Sequence, residues 1–278
     1  MFVGYSLDIN EKNFFQNDSQ EYYYKIGKKE FESMKKRLNT NLDNLDFFEN
    51  GDKLDGSKMQ ENWFPIMKVD IFLSHSHRDE KLAIALAGYF KANFGWSVFI
   101  DSCLWGYCDD LLRAIDERYC MNPSGETFIY EKRNQSTSHV HMMLSVALQK
   151  MIDESECLMF LKTENSLTNL KDAIEEKTLS PWIYMELFSI ETVRLSKRRK
   201  INFIEPTLKH TLFEQKALAV EYKVKTDGLI VLEGNKINNL RQYKENDKLC
   251  LDMLYSTTIP KEKFHERHNR AIFIEGGK

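Results

Sequence analysis

Short apolar runs alternate with stretches of helical spacing along most of the chain. VDIFL (69–73) is nearly continuous, as in strands buried on both faces. A polar turn from Ser74 to Asp79 follows it. EKLAIALAGYFKANFG then sets Leu82, Ala85, Leu86, Tyr89, Phe90 and Phe94 at helical intervals, with Gly95 placed to stop the helix. WSVFID (96–101) predicts a second buried strand, SCLWGYCDD a loop, and DDLLRAIDERY a helix with Leu111, Leu112, Ile115 and Tyr119 on one side. Residues 121–138 hold turn formers around TFIY, which predicts an excursion with an edge strand. HVHMMLSVALQKMIDES predicts a helix, and CLMFLKTENS a strand running into a polar loop. INFIEP (201–206), LAVEYKV (218–224) and GLIVLEG (228–234) predict further strands, the last extending or hairpinning with the one before it. KINNLRQYKENDKLCLDML predicts a helix.

This alternation predicts an α/β fold, a doubly wound parallel sheet covered on both faces. Ligands in such sheets bind beyond the carboxyl ends of the strands. That rule selects the loops at 74–79, 101–109 and 162–180. Upstream, residues 1–66 read as a mostly helical extension, with Tyr24, Phe31, Met34 and Leu38 at helical spacing and ENGDKLDGSK as a loop. The predicted organisation is therefore an extension over 1–66, a core domain over 67–235, and a C-terminal helix and tail over 236–278 packed on the core.

Composition narrows the function classes. Hydrophobic residues make up 42% and charged residues 29% of 278 residues, the balance of a globular protein. A net charge of −3 gives no electrostatic case for nucleic acid or a membrane surface. The basic run SKRRK (196–200) reads as a helix C-terminus. The N-terminus lacks the pattern of a signal peptide, and no apolar run is long enough to span a bilayer. Five cysteines without framework spacing fit a reducing compartment, so the expected location is cytoplasmic. Cys103, Cys108 and Cys120 form no CxxC pair. His139 with His141, and His265 with His268, lack zinc-site spacing, so no metal is expected.

The loops lack the phosphate-cradling GxGxxG and GxxxxGK[ST] patterns and the GxSxG nucleophile elbow. What stands out is SPWIYMEL (180–187). Ser180 is placed to cap a helix and Pro181 to begin it. Glu186 is then alone among Trp182, Ile183, Tyr184, Met185, Leu187 and Phe188, and a carboxylate in such company needs a partner or a use. Trp182 and Glu186 are four apart and share a helix face, which makes either a pocket wall beside an anion or a surface glutamate beside a core tryptophan.

VDIFLSHSHRDEKLAIALAGYFK, WSVFID and SPWIYMEL together resemble a TIR (Toll/interleukin-1 receptor) domain, in particular the bacterial TIR proteins of antiphage defence of the Thoeris type. The first segment resembles the family's opening strand and serine-containing loop, and the second its second strand. The third resembles the S-x-W-x-x-x-E pattern, whose glutamate is catalytic in NAD-cleaving members. The resemblance covers about residues 68–235; the first 66 residues and the insert at 121–138 stand outside it.

The resemblance implies a flavodoxin-like sheet of about five parallel strands and cleavage of the nicotinamide–ribose bond of NAD, with NAD as substrate and no cofactor. Glu186 is the implied catalytic residue. Ser74, His75, Trp105 and Trp182 are the implied substrate-binding residues, although Trp105 equally fits a buried anchor for its loop, and Asp101 fits a brace better than a ligand. The expected products are ADP-ribose or a cyclic or conjugated relative serving as a defence signal. Implied partners are further copies of the chain through TIR surfaces, with the loop 101–109 taking part, a phage-derived trigger and a separate effector. Two rival readings stay open: a non-catalytic TIR adaptor, and an enzyme resembling nucleoside deoxyribosyltransferases.

Overall fold

The computed structural model describes residues 3–9, 14–15, 19–38, 54–105, 108–167, 177–192, 222–223, 226, 229–243, 247–260 and 263. In chain order these form β1 (Val3–Asp8), α1 (Gln20–Leu38), α2 (Gly56–Trp63), β2 (Ile71–Ser74), α3 (Glu80–Phe94), β3 (Val98–Phe99), α4 (Asp101–Leu104) and α5 (Cys108–Tyr119). There follow α6 (Tyr130–Glu154), β4 (Cys157–Leu161), β5 (Lys177–Thr178), α7 (Pro181–Thr192), β6 (Tyr222–Lys223), β7 (Ile230–Glu233), α8 (Gly234–Asn239) and α9 (Asp247–Thr258).

Contacts divide the chain into two compact units. The first holds Met1–Glu30, Lys68–Ile100 and Ile152–Lys278, and the second Phe31–Met67 and Asp101–Met151. Among the described residues of the first unit, five strands form an all-parallel sheet in the order β3-β2-β4-β1-β7. VDIFL, WSVFID, CLMFL and GLIVLEG supply four of these strands, as their apolar runs predict. The α/β class and the parallel sheet are thus present.

The fifth strand corrects the predicted organisation. Residues 3–8 are not part of a helical extension; they form β1, which lies between β4 and β7. Val3, Tyr5 and Leu7 are fully buried on one face, and Ser6 is buried on the other. The division at residue 66 therefore runs between strands of one sheet. Taken alone, the four downstream strands run second, first, third, fourth. The N-terminal strand enters between the third and the fourth.

GLIVLEG neither extends nor hairpins with the run before it. Its strand β7 pairs parallel to β1, while β6, from the end of LAVEYKV, pairs antiparallel with β5. The predicted strand 201–206, the SKRRK run, and His265 and His268 lie outside the described residues. The predicted C-terminal helix is divided into α8, a 3-10 turn (Leu240–Tyr243) and α9. α9 is joined to the sheet through Tyr5, whose hydroxyl lies 2.8 Å from Thr258 Oγ1.

Because β1 is paired on both sides, a chain that begins at residue 67 is expected not to fold. It would leave the facing edges of β4 and β7 without their ladder hydrogen bonds. Circular dichroism and proton NMR of that fragment should show loss of dispersed structure, whereas the full chain retains it.

The second unit departs from prediction at three places, the first being the short helix α4 at the start of the predicted loop SCLWGYCDD. Asp55 caps an unpredicted helix, α2, its Oδ1 accepting from the N–H groups of Ser57 and Lys58 at 3.0 Å each. The excursion at 121–138 shrinks to a tight turn, with one bridge between Met121 and Phe128 in place of an edge strand. α6 starts at Tyr130, nine residues before the predicted start. The reason is tertiary. Buried Asp116 of α5 accepts from Arg133 Nε at 2.8 Å and from Ser136 Oγ at 2.5 Å. These contacts hold a stretch ending in Ser136, Thr137 and Ser138 in a helix that its local propensity disfavours. The cysteines are free thiols, with Cys120, Cys157 and Cys250 buried. Burial pushes the Cys157 thiol far above its usual range.

Candidate functional site

Glu186 lies within the first unit, on α7. The local chemistry that starts this helix is the predicted one. Ser180 Oγ accepts from the N–H of Ile183 at 3.2 Å, and Pro181 takes the first helical position, where no N–H is needed. The helix packs onto the sheet at Gly4 of β1. A Cβ there would stand 2.7 Å from Leu229 Cδ2 and 3.3 Å from Ile190 Cγ2, so the bare glycine makes room first for Leu229 and then for Ile190 of α7. One turn before Ile190, Glu186 is buried, with 4% of its surface exposed.

Its Oε2 accepts a 2.6 Å hydrogen bond from Ser74 Oγ. Ser74 is the last residue of β2 and is itself buried, so the pair sits at a carboxyl end of the parallel sheet. Two residues 112 apart in sequence are thereby joined. A short O–H···O bond to a carboxylate in a secluded setting is of the stronger, charge-assisted kind. His75 follows Ser74 directly and is half-buried, and Trp182 is half-buried one turn before Glu186. Four of the five predicted site residues thus belong to the first unit, and the structure joins two of them by a direct bond.

Trp105 belongs to the second unit. Its ring is 4% exposed, its Nε1 donates to the carbonyl of Pro65 at 3.0 Å, and it meets Phe64 edge-on with centroids 5.3 Å apart. These contacts are those of a buried loop anchor, the second of its two predicted roles. Asp101 opens α4, and its carbonyl accepts from the N–H of Trp105 at 2.9 Å, which braces the same loop.

The structure adds a residue that sequence reasoning missed. Asp79 closes the turn after β2 and is 8% exposed. One carboxylate oxygen accepts from Thr163 Oγ1 and the other from Asn165 Nδ2, at 2.6 Å. Thr163 Oγ1 in turn accepts from the N–H groups of Asn165 and Ser166. The carbonyl of Ser166 accepts from Thr178 Oγ1 at 2.9 Å, and Thr178 Oγ1 accepts from the N–H of Ser180. The turn at 74–79 is thus tied to α7 twice, directly through Ser74 and by relay through the turn after β4. Asp79→Ala strips two donors of a buried acceptor and is expected to cost on the order of 2 kcal/mol. Urea unfolding of the variant reads that loss.

No protein-family model, curated protein or solved structure matches the chain.

Proposed function

We propose that this chain is an enzyme of the TIR type that cleaves the nicotinamide–ribose bond of NAD. The observation that carries the reading is the buried Glu186 carboxylate, held by Ser74 at the carboxyl edge of a parallel α/β sheet. In chain order the five strands run 3-2-4-1-5, so the whole sheet departs from the flavodoxin-like 2-1-3-4-5. What supports the reading is that the four strands after residue 66 keep the relative order second, first, third, fourth.

The chemistry asks for little more than a fixed negative charge. Nicotinamide in NAD is a cationic leaving group. When the bond from C1′ to the ring nitrogen breaks, the electron pair goes to the nitrogen and nicotinamide departs neutral. The ribose left behind is oxocarbenium-like, as in glycoside hydrolysis. A preorganised carboxylate beside it stabilises that charge and costs no reorganisation at the moment of reaction. Water attacking C1′ and losing a proton then gives ADP-ribose. An internal hydroxyl or an adenine nitrogen in place of water gives a cyclic isomer.

In this reading Glu186 faces the ribose, Trp182 walls the sugar and ring, Ser74 uses its one O–H to fix the carboxylate, and His75 offers the donor of the turn after β2. The product acts as a signal in antiphage defence, with assembly of further copies completing activity. Mass spectrometry of products from NAD incubated with the purified chain tests the reading. Release of nicotinamide with ADP-ribose or an isomer is expected. A folded protein that leaves NAD intact at high concentration, with and without phage lysate, favours an adaptor. One that cleaves nucleosides and spares NAD favours the deoxyribosyltransferase-like alternative.

A further inference from the structure

Lys236 carries a secluded cation that the chemistry at Glu186 does not use. It stands on α8, three residues beyond the end of β7. The residue as a whole is half-buried, but its Nζ is shielded from solvent and has no hydrogen-bond partner among the described residues. Burial lowers its pKa, which nearby Glu233 only partly opposes. An ammonium carries three donors and no acceptor. Secluding it without a bonded counter-charge is costly, and the cost is relieved when an anion arrives.

The topology says where that anion would lie. Register runs across the sheet from Ser74 to Phe160, from Phe160 to Ser6, and from Ser6 to Val231. All these strands are parallel, so Ser74 and Lys236 both stand at the carboxyl edge, Lys236 five residues beyond Val231, which itself lies three strand spacings from Ser74. Those three spacings come to about 14 Å at the usual distance between paired strands. One end of this edge offers a carboxylate suited to an electron-poor sugar, and the other a cation without a bonded anion among the described residues. A ligand that spans them carries a sugar at one end and negative charge further along.

We propose that Lys236 is the phosphate-binding residue of this edge and takes the pyrophosphate of a nucleotide. The assignment rests on the proposed reading of Glu186 for the identity of the nucleotide, and on Lys236 itself for the anion. The methylene stem of lysine lets its head group reach as a mobile point charge, the way lysine serves phosphate elsewhere.

Calorimetric titration of the full chain with inorganic pyrophosphate, and separately with ADP, tests this. Wild type is expected to bind ADP, and Lys236→Met to bind it at least tenfold more weakly, with Lys236→Arg in between. Tighter binding of ADP than of pyrophosphate assigns the site to a nucleotide, and equal binding assigns it to the free anion; both support the lysine's role. Thermal unfolding supplies a second readout. Without ligand, Lys236→Met should melt no lower than wild type, since it removes a secluded charge that lacks a bonded partner. Equal ADP affinity in wild type and Lys236→Met overturns the proposal, as does a ligand-free Lys236→Met chain that melts well below wild type. These titrations need no turnover. A chain that binds ADP through Lys236 and leaves NAD intact loses the proposed activity and keeps the site. Nicotinamide release with an unchanged KM in Lys236→Met keeps the activity and removes the site.

Discussion

Glu186→Gln is expected to lower nicotinamide release from NAD by about 10³-fold while leaving the protein folded. The amide matches the carboxylate in size, and its oxygen still accepts from Ser74 Oγ. What it lacks is the negative charge. Removing one preorganised electrostatic stabiliser from a water-poor site costs roughly 10²- to 10³-fold in kcat, up to about 4 kcal/mol of transition-state stabilisation. The upper end applies here because Glu186 is buried and solvent cannot take over its role. KM should change less than kcat, since the ribose becomes cationic only as the bond breaks, whereas the nicotinamide ring already carries its charge in the bound substrate. Nicotinamide release followed by chromatography, beside a thermal melt of each protein, separates the two effects. A Glu186→Gln chain that is folded and as fast as wild type removes Glu186 from the chemistry.

That residue was legible in the sequence because its neighbours are all apolar. A lone carboxylate after a Ser-Pro helix start is a local signal, and the structure places the cap and the burial where the pattern puts them. Four of the five sheet strands were legible for a similar reason, as continuous apolar runs between turn residues. β1 was not. Its partners on the two sides come from residues 157–161 and 230–233, more than 150 positions downstream. Within FVGYSLD, Gly4 and Ser6 interrupt the apolar run, so a strand buried on both faces resembles the start of a polar segment. Gly4 is small because Leu229 and, less closely, Ile190 pack over it, a fact that belongs to the approach to β7 and to α7 and not to β1. Asp79 was hidden likewise. In SHSHRDE it reads as one more turn residue, and only its bonds to Thr163 and Asn165, over 80 positions away, show that it holds the turn after β4.

Gly88→Ala is expected to destabilise the protein by more than about 3 kcal/mol, although alanine is the better helix former. Both Gly27 of α1 and Gly88 of α3 stand inside helices, where glycine costs about 1 kcal/mol relative to alanine. The structure shows what that cost obtains. A Cβ on Gly88 would lie 1.9 Å from the carbonyl oxygen of Tyr23, and one on Gly27 would lie 2.1 Å from that of Ile84. The two helices therefore cross with their backbones in contact, glycine against carbonyl on each side. The obstacle is main chain and cannot swing aside as a side chain would. To admit a methyl group α1 must move away from α3, and Tyr23 moves with it. That tyrosine packs 5.8 Å from Phe15 and 5.1 Å from Tyr89 between ring centroids, and Tyr89 packs 4.8 Å from Phe14. Separation thus opens an aromatic cluster as well as the crossing, which puts the cost above the 1–3 kcal/mol usual for an overpacked core. Gly56→Ala serves as the control, because the atom nearest its added Cβ is the terminal methyl of Met143 at 3.3 Å, the flexible end of a side chain. In urea unfolding Gly56→Ala should stay within about 1 kcal/mol of wild type. A Gly88→Ala chain that gains stability, as helix propensity alone dictates, would show that α1 and α3 do not meet at this pair of glycines.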